Sequence, residues 1–462
     1  MKLLFSIFLA ATIFFSCKKD SFITSPGASL NTSADTLFFD TVFTNSGSVT
    51  QSFKIFNNNE QKLRLTQVKL SGGNSSPFKI NVDGSSGPEV NDVEINPNDS
   101  IYVFVQVNAN PSSSTLPFIL YDSIQIDYNG DKKFVQLQAY GQNAIFLKNK
   151  LITGNVSWNK TLPYVILGGL QIDTNATLNI SAGTKIFIHA NAPFLVDGTL
   201  KTTGTKDAPV IFTGDRLDED YKDLPASWPG IYFRVPSQNN SLKHTIIKNA
   251  YQGIIIENLP ATSSPKLNLS QCIIENIYDA GILAANTNIS ADNCLFSNCG
   301  SNIQIQFGGV YRFVNCTIAS YSTIYKPHQQ PVLQISNNIV QGGTVYTSPL
   351  NAVFQNCIFW GDGGTVDDEL VINKQGTDPY TASFDHVLYK AKNNVANATF
   401  ISSIKNEAPM FDSIDVSGNI FDFHFKNHPN SPAVNAGMVT PFLYDLDDKL
   451  RDANPDIGCY ER

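Results

Sequence analysis

Charge is scarce in this chain. Asp, Glu, Lys and Arg make up 16% of its 462 residues, against about a quarter in ordinary soluble domains. The formal charge is −8, and no basic cluster follows the N-terminal segment. That argues against a nucleic-acid partner, which needs a Lys/Arg footprint. Long apolar runs are scarce too: beyond the N-terminus no stretch is apolar for long enough to span a bilayer as a helix. A 3.6-residue hydrophobic period is also missing. β-branched runs dominate instead, between abundant Asn, Ser, Thr and Gly, which points to a β protein with many turns. Cysteine is absent from 35–143, so no disulfide can staple that region.

The N-terminus is a processing segment by pattern. Lys2 opens it, an apolar run fills 3–15, and Ser16-Cys17 closes it. The run is too short to span a membrane. Ser before Cys resembles the lipobox of bacterial lipoproteins. The resemblance implies a signal peptide over 1–16, cleavage before Cys17, acylation of Cys17 and a lipidated tether over 17–34. Each buried methylene of an acyl chain contributes about 0.8 kcal/mol, so several chains anchor durably. Lys18 stands where some Gram-negative lipoproteins carry an Asp that retains them in the inner membrane. This implies the outer membrane, with the periplasmic or cell-surface side left open.

Seven strand-like segments occupy 35–144: TLFFDTVF, SFKIFNN, LRLTQVKL, PFKINV, SIYVFVQV, SIQIDY and KFVQLQAY. The last two are joined by Asn129-Gly130, a strong hairpin signal. About seven strands in about 110 residues predict an immunoglobulin-like β-sandwich. Their order resembles the Hydin-type immunoglobulin-like modules of bacterial surface proteins. No catalytic constellation appears here, so a spacer or docking role is expected.

From 145 onward the chain repeats itself. Cys272, Cys294 and Cys316 stand 22 residues apart, a further 22 reaches Asn338 in SNNIVQG, and Cys357 follows in QNCIFWG. Thr245 and His386 fit the same frame. Two residues on stand Ile247, Ile274, Phe296, Ile318, Val340 and Phe359, which share the parity of the cysteines and should face one interior. Four residues on stand Asn249, Asn276, Asn298, Ser320, Gly342 and Gly361. Asn and Gly tolerate a left-handed backbone best, so this column predicts a corner. A fixed period in this range means stacked coils, each burying its neighbour's apolar face.

The repeat resembles the right-handed parallel β-helix of the pectin-lyase-like superfold. SWNKTLPYVILGGLQIDTNATLNISAGTKIFI is similar to the opening coils of bacterial surface β-helix proteins. NSPAVNAGMVTPFLYDLDDKLRDANPDIGCYER resembles their closing segment, although Asp448 and Cys459 replace the small residues usual there. The expected class is therefore all-β: an immunoglobulin-like sandwich, a right-handed parallel β-helix over 145–440 with coils of about 22 residues, and a capping segment over 441–462 on the last coil.

The candidate sites follow from these columns. Cys272, Cys294, Cys316, Asn338 and Cys357, with Asn249, Asn276 and Asn298, are expected to be structural ladders. No His or second Cys joins them at zinc-type spacing. Neighbouring thiols on adjacent rungs sit about 4.8 Å apart at Cβ, wider than a relaxed disulfide prefers. Free thiols are expected, with Asn338 separating Cys357 from the others. A polysaccharide lyase or hydrolase needs paired carboxylates or a cation with a base. The outward columns, Ile273, Leu295, Thr317, Ile339 and Ile358, then Lys248, Glu275, Ser297, Ala319, Gln341 and Trp360, hold no carboxylate pair. Their apolar character asks for a cover, from the chain's own insertions or from a partner. Loops at Asp215, Asp218, Glu219 and Asp220, and at Asp362, Asp367, Asp368 and Glu369, could ligate calcium, the one cofactor to consider. His244 and Asp385-His386 are expected to be ladder members. Thr36, Thr41, Ser100, Ser123 and Ser413 follow an Asp, resembling an O-glycosylation signal of some Gram-negative bacteria. The expectation is a non-catalytic, lipid-anchored outer-membrane protein whose β-helix faces bind glycan or an envelope protein. The alternatives are a β-helix lyase or hydrolase, and a subunit of an outer-membrane assembly.

Overall fold

The computed structural model describes residues 21–44 and 47–462. Cys17 and the signal segment lie outside them. The described chain is all-β and divides into two compact units, one running to 144 and the other covering 145–462. Among the described residues, no helix is long and apolar enough to cross a membrane.

The first unit is a sandwich of two five-stranded sheets. One carries Leu30–Thr32, Gln51–Asn57, Asp99–Val107, Phe78–Val82 and Ser85–Ser86; the other carries Thr36–Phe43, Asp131–Gln142, Phe118–Tyr128, Leu63–Leu70 and Glu89–Ile95. Alternation within Asp99–Val107 sends Ile101, Val103, Val105 and Val107 inward, all 7% exposed or less, as a period of two requires. Asn129 and Gly130 both adopt positive φ, 47° and 89°, and turn the chain between paired Tyr128 and Asp131. The polar stretch expected to be tether contributes the strand Leu30–Thr32 instead, because Ala28 and Leu30 are apolar enough to join this core.

The second unit is a parallel β-helix. Twenty-six of its strands form one continuous sheet, and every pairing in it is parallel. Ile246, Ile273, Leu295, Thr317, Ile358, Leu388 and Ile404 follow one another in strict register from coil to coil. The interior is a ladder of like on like. Phe313, Phe354, Phe384 and Phe400 stack with centroids 5.3, 4.9 and 4.9 Å apart, close to the strand spacing that sets the repeat.

Three expectations are corrected here. Asn338 is not a rung: Thr317 pairs directly with Ile358, so Cys357 follows Cys316. The coil between them holds two insertions, around 322–332 and 337–349. Asn338–Gln341 leaves the stack as an antiparallel hairpin with Thr344–Thr347, turned by Gly342 and Gly343 at φ 58° and 81°. Val340, Ile339 and Gln341 go with it, so they belong to no column. His386 precedes the cysteine column by one residue, since Ile358 pairs with Leu388; the column position is Val387. The C-terminal segment does not sit on the last coil. It runs back along the flank and covers the outward strip, burying Leu295, Ala319, Ile358 and Leu388 under Phe411, Phe423, Phe425, Leu446 and Ile457.

Candidate functional site

Each thiol of the cysteine column donates to the carbonyl two residues before it: Cys272 to Ser270 at 3.3 Å, Cys294 to Asp292 at 3.2 Å, Cys316 to Val314 at 3.3 Å and Cys357 to Gln355 at 3.2 Å. Thr245 and Ser403 hold the same column and make the same bond, at 3.1 and 2.9 Å. A small buried donor at a corner is what the position selects. All four cysteines are free and buried, and burial pushes the thiols of Cys294 and Cys357 up, away from the reactive thiolate.

The acidic loops do not converge. Asp215 meets His189 at 2.7 Å, Asp218 meets Arg216 at 2.8 Å, and Glu219 meets Lys222 at 2.7 Å. Asp220 is exposed on the surface. Asp362 pairs with Lys390 at 3.6 Å and Asp367 with Lys392 at 2.9 Å. Asp368 accepts from the Asn393 backbone and side chain. Glu369 is fully buried against His328, 3.0 Å away. All of these acids but Asp220 face a cation or amide of their own, and no cluster of metal-ligating residues forms among the described residues. Thr36, Thr41, Ser100, Ser123 and Ser413 lie in strands and are all partly exposed.

A pocket of about 240 Å³ does gather chemistry. Its wall is the column one step past the inward residues, where Lys248, Glu275 and Ser297 stack on consecutive rungs. The corner residues Asn249, Asn276 and Asn298 follow, at φ 63°, 52° and 52°. Asn276 Nδ2 donates to Asn249 Oδ1 at 2.9 Å and to the Asp223 carbonyl at 2.6 Å, while Asn249 Nδ2 donates to the Lys222 carbonyl at 2.7 Å. These amides clamp the 214–227 loop over the corner and bring Asp223 into the pocket. Asp223 Oδ1 then lies 3.4 Å from Lys248 Nζ. Thr323, from the 322–332 insertion, and Asn419, Phe421 and Phe423, from the C-terminal segment, complete the lining.

The pocket is electrostatically uneven. Burial, with Asp223 adding to it, holds the Glu275 carboxyl above the usual range, and Lys248 opposes the shift. Three residues beyond Lys248 and Glu275, on the same rungs, Tyr251 and Tyr278 stack 5.4 Å apart and are about half exposed, 48% and 51%. Lys326 Nζ donates to the carbonyls of Ile277 and Tyr278 at 2.7 and 3.2 Å, so one insertion frames both the pocket and the tyrosine pair. That insertion is fixed by the His328–Glu369 pair. A Cβ at Gly364 would stand 1.9 Å from the His328 carbonyl, so the close approach requires glycine there. A larger cavity, about 500 Å³, lies in the sandwich against Leu70, Phe78, Ile80 and Phe104, but it brings no acid and base together.

The Asp223–Glu275 combination escaped the reading by columns because only Glu275 belongs to one. Asp223 arrives on an insertion whose path no periodicity encodes. A second left-handed column, His244, Gln271, Asn293, Asn315, Asn356 and His386, all with φ between 42° and 52°, was visible in the recurring Asn-Cys. It receives the C-terminal segment: Gln271 donates to the Asp445 carbonyl at 2.6 Å, Asn315 to Thr440 at 3.1 Å and Asn356 to the Met438 carbonyl at 2.7 Å, while Asn293 accepts from Arg451 at 3.0 Å.

No protein-family model matches the chain, and no curated protein matches it. Solved structures that resemble parts of it include a family 123 glycoside hydrolase from Clostridium perfringens, described for glycolipid glycan hydrolysis. That likeness has 10% identity over 26% of each chain and a TM-score of 0.19. Another is a human ASH/PapD-like domain, the seventh of CEP192, with 12% identity over 26% of this chain and 89% of that one, and a TM-score of 0.18. The chain thus spans about a quarter of the hydrolase it resembles.

Proposed function

We propose that this is a glycan-binding protein of the outer membrane, anchored by lipid on Cys17, with a Hydin-type immunoglobulin-like spacer and a β-helix that presents the Lys248–Glu275 pocket. The observation that carries the reading is the pocket's make-up. Carboxyls, amides, hydroxyls and an ammonium line it, phenyl rings close one side, and a half-exposed tyrosine pair lies on the same rungs. Amide and carboxyl groups match sugar hydroxyls, and aromatic faces match the apolar faces of pyranose rings. Glycan-array binding of the full chain tests it. Binding is expected and should fall at least about tenfold in Lys248→Ala, which unpairs Asp223. Absence of hits across the array defeats the reading. Cys17→Ser should move the protein from the membrane fraction to the soluble one; unchanged fractionation removes the anchor from the proposal.

A second reading has one observation in its favour: Asp223 and Glu275 bring two carboxyls into one pocket. Such a pair is what glycoside hydrolysis uses. New reducing ends released from a bound glycan by the wild type, and lost in both Asp223→Asn and Glu275→Gln, would establish it.

A further inference from the structure

We infer that the pocket selects a saccharide bearing a free amine, with its ammonium received by Glu275; the inference rests on the glycan-binding reading. The ground is an inventory of donors and acceptors. Lys248 is directed at Asp223, 3.4 Å away. The Asn276 N–H groups are taken by Asn249 and by the Asp223 carbonyl. Asn249 is taken by the Lys222 carbonyl. The Glu275 carboxylate faces the same space and accepts no hydrogen bond among the described residues; only the backbone carbonyl of Glu275 accepts one, from Asn249 N. Two of the three charged groups on the wall therefore answer each other, and one carboxyl is left over.

A half-buried carboxyl without a hydrogen-bond partner gains most from a ligand that brings a cation and several N–H donors. A neutral sugar supplies a hydroxyl donor and gains less. A uronate brings a second negative charge beside Glu275 and Asp223, in a chain whose formal charge is already −8, and is opposed. The half-buried wall strengthens each of these effects relative to water. The placement also explains why Lys248 acts on Glu275 through its charge without hydrogen-bonding it. Glu275 stands on the next rung in register with Lys248, but Asp223 descends from the insertion and takes the ammonium.

Calorimetric titration of the full chain with three hexasaccharides tests this: β-1,4-linked glucosamine, its fully N-acetylated form, and galacturonate. The amine is expected to bind about tenfold or more tighter than the acetylated oligomer, with no galacturonate binding. Glu275→Gln keeps the size of the side chain and should abolish that preference while still binding the acetylated sugar. Asp223→Asn frees Lys248 for Glu275, so it should erode the preference as well. Equal binding of amine and acetylated sugars, or a preference that survives Glu275→Gln, overturns the inference and leaves the glycan-binding reading standing. Galacturonate binding tightest overturns it too. Failure of all three sugars, together with an empty array, overturns both.

Discussion

At the residue scale the stack places polar groups where only their neighbours can satisfy them. Asp292 shows the cost. It stands beside the corner before Cys294, accepts from Ser270 Oγ at 2.8 Å and from Asn293 Nδ2 at 3.3 Å, and is pushed up to about 6 by burial, from an ordinary value of 3.8. Between those values the folded chain holds a proton that the unfolded chain has released. Stability therefore falls as pH rises from about 4 to about 6 and stays lower above that, by a contribution on the order of 3 kcal/mol. Asp292→Asn carries no charge to desolvate. Urea midpoints for wild type and variant should be similar at pH 4.5, and the variant should be the more stable at pH 7.5. A variant that is less stable at both pH values would mean that the ionised carboxylate stabilises the corner. Lys266 is the complementary case. It is fully buried, its ammonium is ringed by the carbonyls of Glu257, Arg234 and Val235 at 2.6, 2.9 and 3.2 Å, and burial lowers its value to about 8.

At the scale of elements, what was legible was whatever repeats. Cys272, Cys294 and Cys316 gave the lap, the inward residues two steps on gave the core, and Asn249, Asn276 and Asn298 gave one corner. Periodicity fails where a coil carries insertions. SNNIVQG imitates the recurring phrase because Asn and Gly serve a hairpin turn as well as a corner, and the added 19 residues between Cys316 and Cys357 (41 against 22) gave no sign of which strands remained in the stack. The docking of the C-terminal segment was illegible for a different reason. Its apolar residues follow no period, and its polar contacts are single and long-range, as in Arg451. That guanidinium donates to Glu461 at 3.1 Å, to Asn293 at 3.0 Å and to the Gly458 carbonyl at 2.8 Å, with both members of the ion pair 4% exposed. Removing one member strands the other without water, a cost of about 3–5 kcal/mol. Arg451→Met should therefore speed proteolytic cleavage within 407–462 strongly, and Arg451→Met with Glu461→Gln should be cleaved more slowly than Arg451→Met alone. If the double variant is cleaved as fast as or faster than the single one, the pair is not what holds the segment.

At the scale of the β-helix unit, two apolar cores share one wall of strands. The inner core runs through the coils, and the outer one lies between the flank and the C-terminal segment. The inner core is closed by the coils alone, whereas Leu295, Ala319, Ile358 and Leu388 owe their burial to residues beyond 406. A chain ending at 406 should keep its β-sheet circular dichroism, because every rung pairing from Ile145–Ile152 to Ile404–Lys405 is retained. It should also expose a continuous apolar strip, which surface chemistry penalises by association. The measurable signs are binding of a hydrophobic dye and self-association in sedimentation, both absent from the full chain. The truncation removes Asn419, Phe421 and Phe423 from the pocket while leaving Lys248, Asp223 and Glu275 in place, so glycan affinity should drop without vanishing. A truncated chain that stays monomeric and dye-silent would show that the segment is not the cover of that strip. Complete loss of the sheet signal would show that the coils depend on the segment for their own stability, and the two cores would then have to be treated as one cooperative unit.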